Sequence, residues 1–375
     1  MRIEAIETHA VLLPLETATA FSTRQIKGRE YVIVSVVGDC GATGTGYTYA
    51  GDSGGGWLRS GIDQLLVPRL LGQSAFAMDE LWERIFDDLL LLGRRGALLR
   101  MLSAVDIALW DLLARSVALP LREVLGSSVN TVPAYASGGY YRPGDACANV
   151  AEELMRYRAL GFTDFKIKFG GLSLQEDLAR VETARRVLGS THRLALDINN
   201  GWRTLEQATS AIDALEQFDI WWIEEPFAPD DIANHRLLAA RSPIPIATGE
   251  IEATRWGFEQ LITQGAAQIL QPDACVAGGI SEWRRIAELA AQHDIPVIPH
   301  WHANLHAQLA AATPNCPTVE YFALCEGIYN FEQLVSNPLT VEGGHIVLDR
   351  TCGIGVELDW DRVRHFAIDT DLAAA

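Results

Sequence analysis

Phe165-Lys166-Ile167-Lys168, Leu194-Ala195-Leu196-Asp197 and Trp221-Trp222-Ile223-Glu224 are short apolar runs, each closed by an ionisable residue. The pattern continues in Ile244-Pro245-Ile246-Ala247-Thr248-Gly249-Glu250, Ile269-Leu270-Gln271-Pro272-Asp273 and Ile295-Pro296-Val297-Ile298-Pro299-His300, and once more in Thr318-Val319-Glu320. From Lys168 to Glu320 the closing residues are 29, 27, 26, 23, 27 and 20 positions apart. A strand of ~5 residues, a helix of ~12 and two short loops have about that length. Each closing residue is therefore placed at the C-terminal end of its strand. In a parallel β/α barrel those ends share one face, the face that carries catalysis.

Between the runs the sequence is helical in period, most clearly at 147–160, 174–188, 204–217, 231–241, 255–264 and 281–292. Upstream, residues 1–128 predict a small α+β domain: strands around Ile3–Ile6, Val11–Leu13 and Tyr31–Val37, then helices at 79–92 and 99–118. Gly126-Ser127-Ser128 separates it from a first barrel strand, Val132-Pro133-Ala134-Tyr135, and the barrel occupies 129–335. The tail, 336–375, reads as two short strands turning at Gly343-Gly344. It is expected to pack back on the first domain. Two stretches of that domain read as loops, 21–30 with Arg24, Lys27 and Arg29, and 47–57 with Tyr49, Asp52 and the run Gly54-Gly55-Gly56.

A length of 375 residues suits a barrel of ~250 residues plus this smaller domain. The net charge of −18 argues against nucleic acid or an anionic membrane as partner, so a carboxylate substrate must be drawn in by local cations. No apolar run is long enough to span a bilayer, and Glu4 and Glu7 stand where a signal peptide needs basic, then apolar residues. A cytoplasmic protein is expected. The six cysteines are scattered without a C-x-x-C pair or metal-ligand spacing, which predicts reduced, mostly buried thiols.

Asp197, Glu224 and Glu250 close three consecutive runs. Neighbouring strands lie ~4.8 Å apart, so three strand-end carboxylates can converge. Their mutual repulsion calls for a cation, and an all-oxygen set suits Mg²⁺. Helix capping would account for any one of these acids, but poorly for all three in register. Lys166 and Lys168, two apart on a strand, point to one side. Adjacent ammonium groups depress each other's pKa, which predicts a base that is partly neutral near pH 7. Asp273 and His300 close the next two runs, and an Asp–His hydrogen bond would make an acid–base pair of them. His302 and His306, at i and i+4, read as structural or pocket-lining. Glu320, among so many acids, is expected to be protonated and to donate a hydrogen bond to a developing oxyanion. Together these groups describe removal of a proton α to a metal-chelated carboxylate, giving an enediolate.

With these residues the chain resembles the mandelate racemase subgroup of the enolase superfamily. The marks are Ala104-Val105-Asp106-Ile107-Ala108-Leu109-Trp110-Asp111, Lys166 with Lys168, Asp197 with Asn199, Trp222-Ile223-Glu224-Glu225-Pro226, Gly249-Glu250, Asp273 before Gly278-Gly279, and His300 with Glu320. They span nearly the whole chain. The resemblance implies a capping domain over a (β/α)7β barrel and a Lys or His base working with Mg²⁺. It implies Lys168 as base, Lys166 at the substrate carboxylate, and Asp197, Glu224 and Glu250 as metal ligands with Asn199 beside them. His300 paired with Asp273 becomes the opposite acid or base, with Glu320 assisting at the enediolate. Glu225 is not a ligand in this pattern. The two capping-domain loops would set specificity, which makes Arg24, Lys27 and Tyr49 candidates for substrate contact, with Ser137 a candidate for its carboxylate. Tyr140 and Tyr141 suit packing as well as contact. A homo-oligomer, dimer or octamer, is the family's habit.

The polar, basic loops suit a polyol better than an aryl group. Dehydration of an acid sugar to a 2-keto-3-deoxy acid is therefore the first expectation. A racemase or epimerase of a 2-hydroxy acid, or a sugar-lactone cycloisomerase, would use the same residues. A barrel that binds a carboxylate without turnover is the remaining alternative, though binding alone needs no paired bases.

Overall fold

The computed structural model describes residues 1–368. Its N-terminal unit is an antiparallel sheet of β1 (Ile3–Phe21), β2 (Arg24–Gly38) and β3 (Thr43–Tyr49). β1 and β2 reverse at Ser22-Thr23, whereas β3 pairs with β2 only from Tyr31 onward. The end of the β1–β2 hairpin is thus a two-stranded ribbon. This corrects the loop expected over 21–30. A ribbon with no third strand lets its long polar side chains reach water, and it lacks the alternation that marks a half-buried strand.

Helices α1 (Gly55–Gly61), α2 (Val67–Leu70), α3 (Met78–Asp88), α4 (Ala97–Ser116) and α5 (Leu121–Val124) complete the unit. α4 lies directly on β3: a Cβ on Gly46 would fall 2.0 Å from the Ala104 carbonyl oxygen, so only glycine fits there. Asp106 and Asp111 of α4 are ties between units. Asp106 accepts from the Ser281 amide at 2.9 Å and its hydroxyl at 2.6 Å, and Asp111 accepts from the Thr45 and Ile354 amides, each at 2.7 Å.

The barrel follows as β4 (Thr131–Gly138), α6 (Ala146–Ala159), β5 (Asp164–Lys168), α7 (Leu174–Leu188), β6 (Arg193–Asp197) and α8 (Leu205–Leu215). It continues through β7 (Ile220–Glu224), α9 (Ile232–Ala239), β8 (Ile246–Thr248), α10 (Thr254–Thr263) and β9 (Ile269–Leu270). The last elements are α11 (Ala274–Ala277), α12 (Ile280–Ala291), α13 (Ala303–Ala310) and β10 (Val319–Tyr321). β4 to β9 pair in sequence order, all parallel; Leu270 bridges Val297, and β10 pairs with β4 to close the circle. Counting the bridge at Val297 as the seventh strand, this is a (β/α)7β barrel. Inside it Tyr135, Ala195, Trp222, Ala247, Ile269 and Ile298 pack together as a solid floor beneath the strand ends.

The tail divides. β11 (Thr340–Glu342) and β12 (His345–Val347) form the expected hairpin, but β12 pairs antiparallel with β4 at Thr131–Pro133. The start of β4 extends beyond β10 and offers a free edge there, so the hairpin docks on the barrel and not on the first domain. The chain then crosses: α14 (Trp360–His365) leads to bonds from Leu12 to the Phe366 carbonyl and from Ile368 to that of Ala10, at 3.0 and 2.8 Å. The rest of the tail, 369–375, lies outside the described residues. Among the described residues no helix is long and apolar enough to cross a membrane.

Candidate active site

Strand register places the charged groups side by side. Lys168 stands opposite Asp197 and Asp197 opposite Glu224, at the last positions of β5, β6 and β7. Glu250 arrives differently, two residues past β8, after Gly249 at φ 133°. A side chain at Gly249 would meet the Phe258 ring at 2.7 Å, so the turn that delivers Glu250 depends on glycine. Oxygens of Asp197, Glu224 and Glu250 lie within 4.8 Å of one another. Burial, then Glu225, Asp197 and Glu224, push the Glu250 carboxyl well above its usual value. Asn199 adds a buried amide oxygen with no partner, while its nitrogen donates to Asp197 at 3.1 Å. Crowded, buried, all-oxygen donors with an unmatched amide oxygen beside them fit Mg²⁺. Glu225, with φ 44°, is buried beside the trio, and burial, then Asp197 and Glu224, raise it to about 8.

Lys166 lies 2.5 Å from Glu224 Oε1 and 2.8 Å from Glu320 Oε1, and Lys168 is paired with Asp197. Burial draws both ammonium groups down, but Glu224 and Glu320 around Lys166, and Asp197 beside Lys168, outweigh it. Both are held above the usual lysine value. The expected mutual depression is therefore corrected: each lysine is closer to a carboxylate than the lysine–lysine repulsion can offset. Glu320 is corrected too. Although burial opposes ionisation, Lys166 holds Glu320 down at about 2, and the carboxylate accepts from the Trp301 amide at 2.6 Å. It is an anion here, not a protonated donor.

Across the mouth, His300 Nδ1 is 3.0 Å from Asp273 Oδ2, and its Nε2 is 3.5 Å from Glu250 Oε2. Asp273 caps α11 through the Cys275 amide at 2.8 Å; burial opposes its charge, yet the bond to His300 and the neighbouring His302 and His306 hold it at about 2. His302 and His306 are fully buried, and burial lowers them to about 3 and 4. His302 Nδ1 meets the Tyr329 hydroxyl at 3.0 Å, and His306 Nε2 accepts from the Ala274 amide at 3.1 Å. Cys275 is buried behind Asp273, where burial keeps its thiol protonated.

The candidate substrate contacts separate into two groups. Ser137 pairs in register with Lys166, and its buried hydroxyl has no partner. The Tyr49 ring lies 6.5 Å from that of His300, covered by Arg100 at 4.4 Å. Arg24 and Lys27, in contrast, are exposed on the ribbon, Arg24 lying 5.4 Å over Phe21. Their side chains face solvent and are not brought to the site, although the backbone beside them is tied to the barrel by the Ala20–Tyr141 bridge. The hairpin tip reaches instead through Phe21, 5.8 Å from Lys168 Nζ, and through Ser22, which donates to the Ile198 carbonyl. Tyr140 faces Lys168 at 4.7 Å, whereas Tyr141 is bonded to Asp177 at 2.7 Å and packs under Arg180. Gln271, given no role from sequence, donates to Glu224 at 2.6 Å, as does the Trp222 indole at 3.0 Å. Its place two residues before Asp273 on an inward-facing run was the available signal. Lys166, Asp197, Glu224, Glu320 and Asp273 have side chains at most 1% exposed, while Glu250 and His300 keep 13% and 12%.

Two family models match the chain: the mandelate racemase / muconate lactonizing enzyme N-terminal domain over residues 3–126, and the enolase C-terminal domain-like model over 149–362. The chain is 33% identical over 301 residues to an arabinonate dehydratase of Saccharolobus solfataricus, covering 78% of this chain and 79% of the relative. It is 31% identical over 382 residues to a D-galactarolactone cycloisomerase of Agrobacterium fabrum, covering 98% and 99%. A crystal structure of a racemase from Streptomyces coelicolor A3(2) with bound magnesium superposes with a TM-score of 0.91 at 31% identity, covering 98% of this chain and 100% of that one.

Proposed function

The chain belongs to the mandelate racemase / muconate lactonizing enzyme family of the enolase superfamily, and we propose that it is a Mg²⁺-dependent acid-sugar dehydratase. One observation carries this: the carboxylate trio stands between a lysine, Lys168, and an Asp273–His300 pair. A base and an acid on opposite flanks suit removal of a proton from one carbon and delivery of another to the hydroxyl on the next. Dehydratases and a cycloisomerase among the relatives agree with that chemistry.

Asp197, Glu224 and Glu250 would hold Mg²⁺, which when bound polarises the substrate carboxylate and steadies the charge that develops on it. Lys168 removes the α-proton; its pairing with Asp197 must be released first, so the base is freed only in the loaded site. Lys166, fixed by Glu224 and Glu320, presents a cation to the same developing charge. Ser137 offers its unmatched hydroxyl to the substrate carboxylate. His300 gives a proton to the departing β-hydroxyl, and Asp273 holds the ring in place and steadies its cationic form. Water leaves, and the enol becomes a 2-keto-3-deoxy acid. A homo-oligomer and a cytoplasmic location complete the proposal.

The test is incubation with Mg²⁺ in D₂O against mono- and diacid sugars, 2-hydroxy acids and sugar lactones, with the α-hydrogen followed by proton NMR and keto acids by semicarbazide. Keto-acid formation is expected. Deuterium incorporation with inversion and no keto acid would replace the dehydratase by a racemase or epimerase. Lactone isomerisation would make it a cycloisomerase.

A further inference from the structure

The first strand pair of the cap carries a buried cation with no counter-charge. Arg29, on β2, is 8% exposed. Its Nε donates to the Ile328 carbonyl at 3.3 Å and its plane covers the Trp301 ring at 4.3 Å, but Nη2 is buried without a partner. Among the described residues it has no carboxylate partner, although the chain carries 48 acidic residues. Removing a guanidinium from water without an anion is costly. A guanidinium with an unmatched N–H is also the group best shaped to take a carboxylate.

The position of Arg29 says which carboxylate. Trp301 stacks on His300 with ring centres 5.6 Å apart, and touches Phe322 at 4.5 Å; Phe322 in turn neighbours Tyr140, which faces Lys168. Arg29 therefore stands on an aromatic wall whose two ends touch the base and the acid of the proposed reaction. In the proposed reaction the ion held by the trio would take one carboxylate at the strand ends, and the reacting carbons would lie between Lys168 and His300. The remaining carbons of a longer acid would extend toward the cap, where Arg29 is the buried cation on this wall. Lys27 and Arg24 are too exposed to serve.

We infer that Arg29 receives a second carboxylate at the far end of the substrate, so that the class acted on is a sugar diacid and not a monoacid. This rests on the dehydratase proposal and deepens it. A mere latch, holding the cap to Trp301 and Ile328, would serve diacid and monoacid alike.

The two are separated with pairs of acids that differ only at the terminal carbon, galactarate against galactonate and the other hexose-derived pairs. Each is assayed for turnover, and for binding by calorimetry, with the Mg²⁺-loaded enzyme. Wild type is expected to favour the diacid of at least one pair by about 10- to 100-fold in kcat/KM, the worth of about one charge-assisted hydrogen bond. Arg29→Gln should erase that preference by lowering the diacid towards the monoacid. Arg29→Lys, which keeps the charge and loses the fork, should restore part of it. Unchanged Mg²⁺ affinity in both variants controls for folding. A wild type with no diacid preference, or equal losses for both acids of a pair in Arg29→Gln, would overturn the inference. Diacid binding that is selective and lost in Arg29→Gln, without turnover in wild type, would support the Arg29 subsite while removing the dehydratase.

Discussion

Replacing Asp273 by asparagine changes one oxygen to an NH₂ group and almost nothing in shape. Asp273 Oδ1 accepts from the Cys275 amide at 2.8 Å, so the amide oxygen of Asn must take that position. The new NH₂ then faces His300 Nδ1 at about the 3.0 Å now spanned by Oδ2. Two donors cannot meet, and His300 is left with a bare Nδ1 and its proton on Nε2. In that tautomer Nε2 cannot accept a proton, and it cannot give one up without becoming an imidazolate. The cationic ring also loses a charge-assisted bond worth roughly 1.5–3 kcal/mol. Loss of a positioned acid–base group costs ~10²–10⁴ in rate. Asp273→Asn should therefore lower kcat by that factor, about 3–5 kcal/mol in barrier height, with KM little changed. Lys168 is untouched, so exchange of the substrate α-hydrogen in D₂O should persist while keto-acid formation stops. The pair of assays is NMR exchange and semicarbazide detection, with circular dichroism as the folding control. A kcat within fivefold of wild type, or exchange lost as completely as dehydration, would refute the role given to the dyad.

Lys168→Met should behave in the opposite sense: α-hydrogen exchange and turnover both fall by at least ~10², while the Mg²⁺-dependent rise in melting temperature survives; retention of exchange would shift the base to another group. Raising Mg²⁺ to about 100 times its dissociation constant should stabilise the fold by ~2.7 kcal/mol, a gain that Glu224→Gln or Glu250→Gln should abolish; persistence of the full gain in either variant would place the ion elsewhere. Glu153 gives a pH signature away from the site. Burial, then Glu326, raise its carboxyl from 4.5 to about 7, and its Oε2 accepts from the Gly139 amide at 3.0 Å. Between those values the folded chain keeps a proton that the unfolded chain releases, so this group's contribution to stability falls as pH rises, by about 3 kcal/mol in all. Urea titrations at pH 5 and pH 8 should show that loss in wild type and a smaller one in Glu153→Gln, which keeps the acceptor; equal losses in the two proteins would exclude it.

The strand-end ladder was legible because a parallel barrel repeats one length and repeats one polarity switch, from apolar strand to ionisable end. Asp197 and Glu224 needed no more than that, being last residues of β6 and β7. Glu250 and Asp273 were found by the same rhythm although both stand beyond their strands, Glu250 through a glycine turn and Asp273 at a helix cap. What was not legible depends on neighbours remote in sequence. Arg29 resembles Arg24 and Lys27 until Trp301 is seen to cover it and the Ile328 carbonyl to take its Nε. Glu320 resembles any crowded acid until Lys166 is seen 2.8 Å away. The lysines were read against each other, whereas their carboxylates lie one and two strands off and decide the balance.

The closed floor of the barrel has a kinetic consequence. Tyr135, Trp222 and their neighbours seal the site from below, the hairpin tip spans it above, and Glu250 and His300 are more exposed than Lys168 or the two deeper carboxylates. On the proposed chemistry, ion, acid sugar and expelled water would share one doorway, beside Glu250 and His300. Traffic through one doorway is sequential. An ion held by Glu250 and the two deeper carboxylates would have to enter ahead of the acid, and could not depart until that acid had gone. Mg²⁺ and substrate would then follow a compulsory order, and the dissociation rate of the ion would slow whenever substrate is abundant.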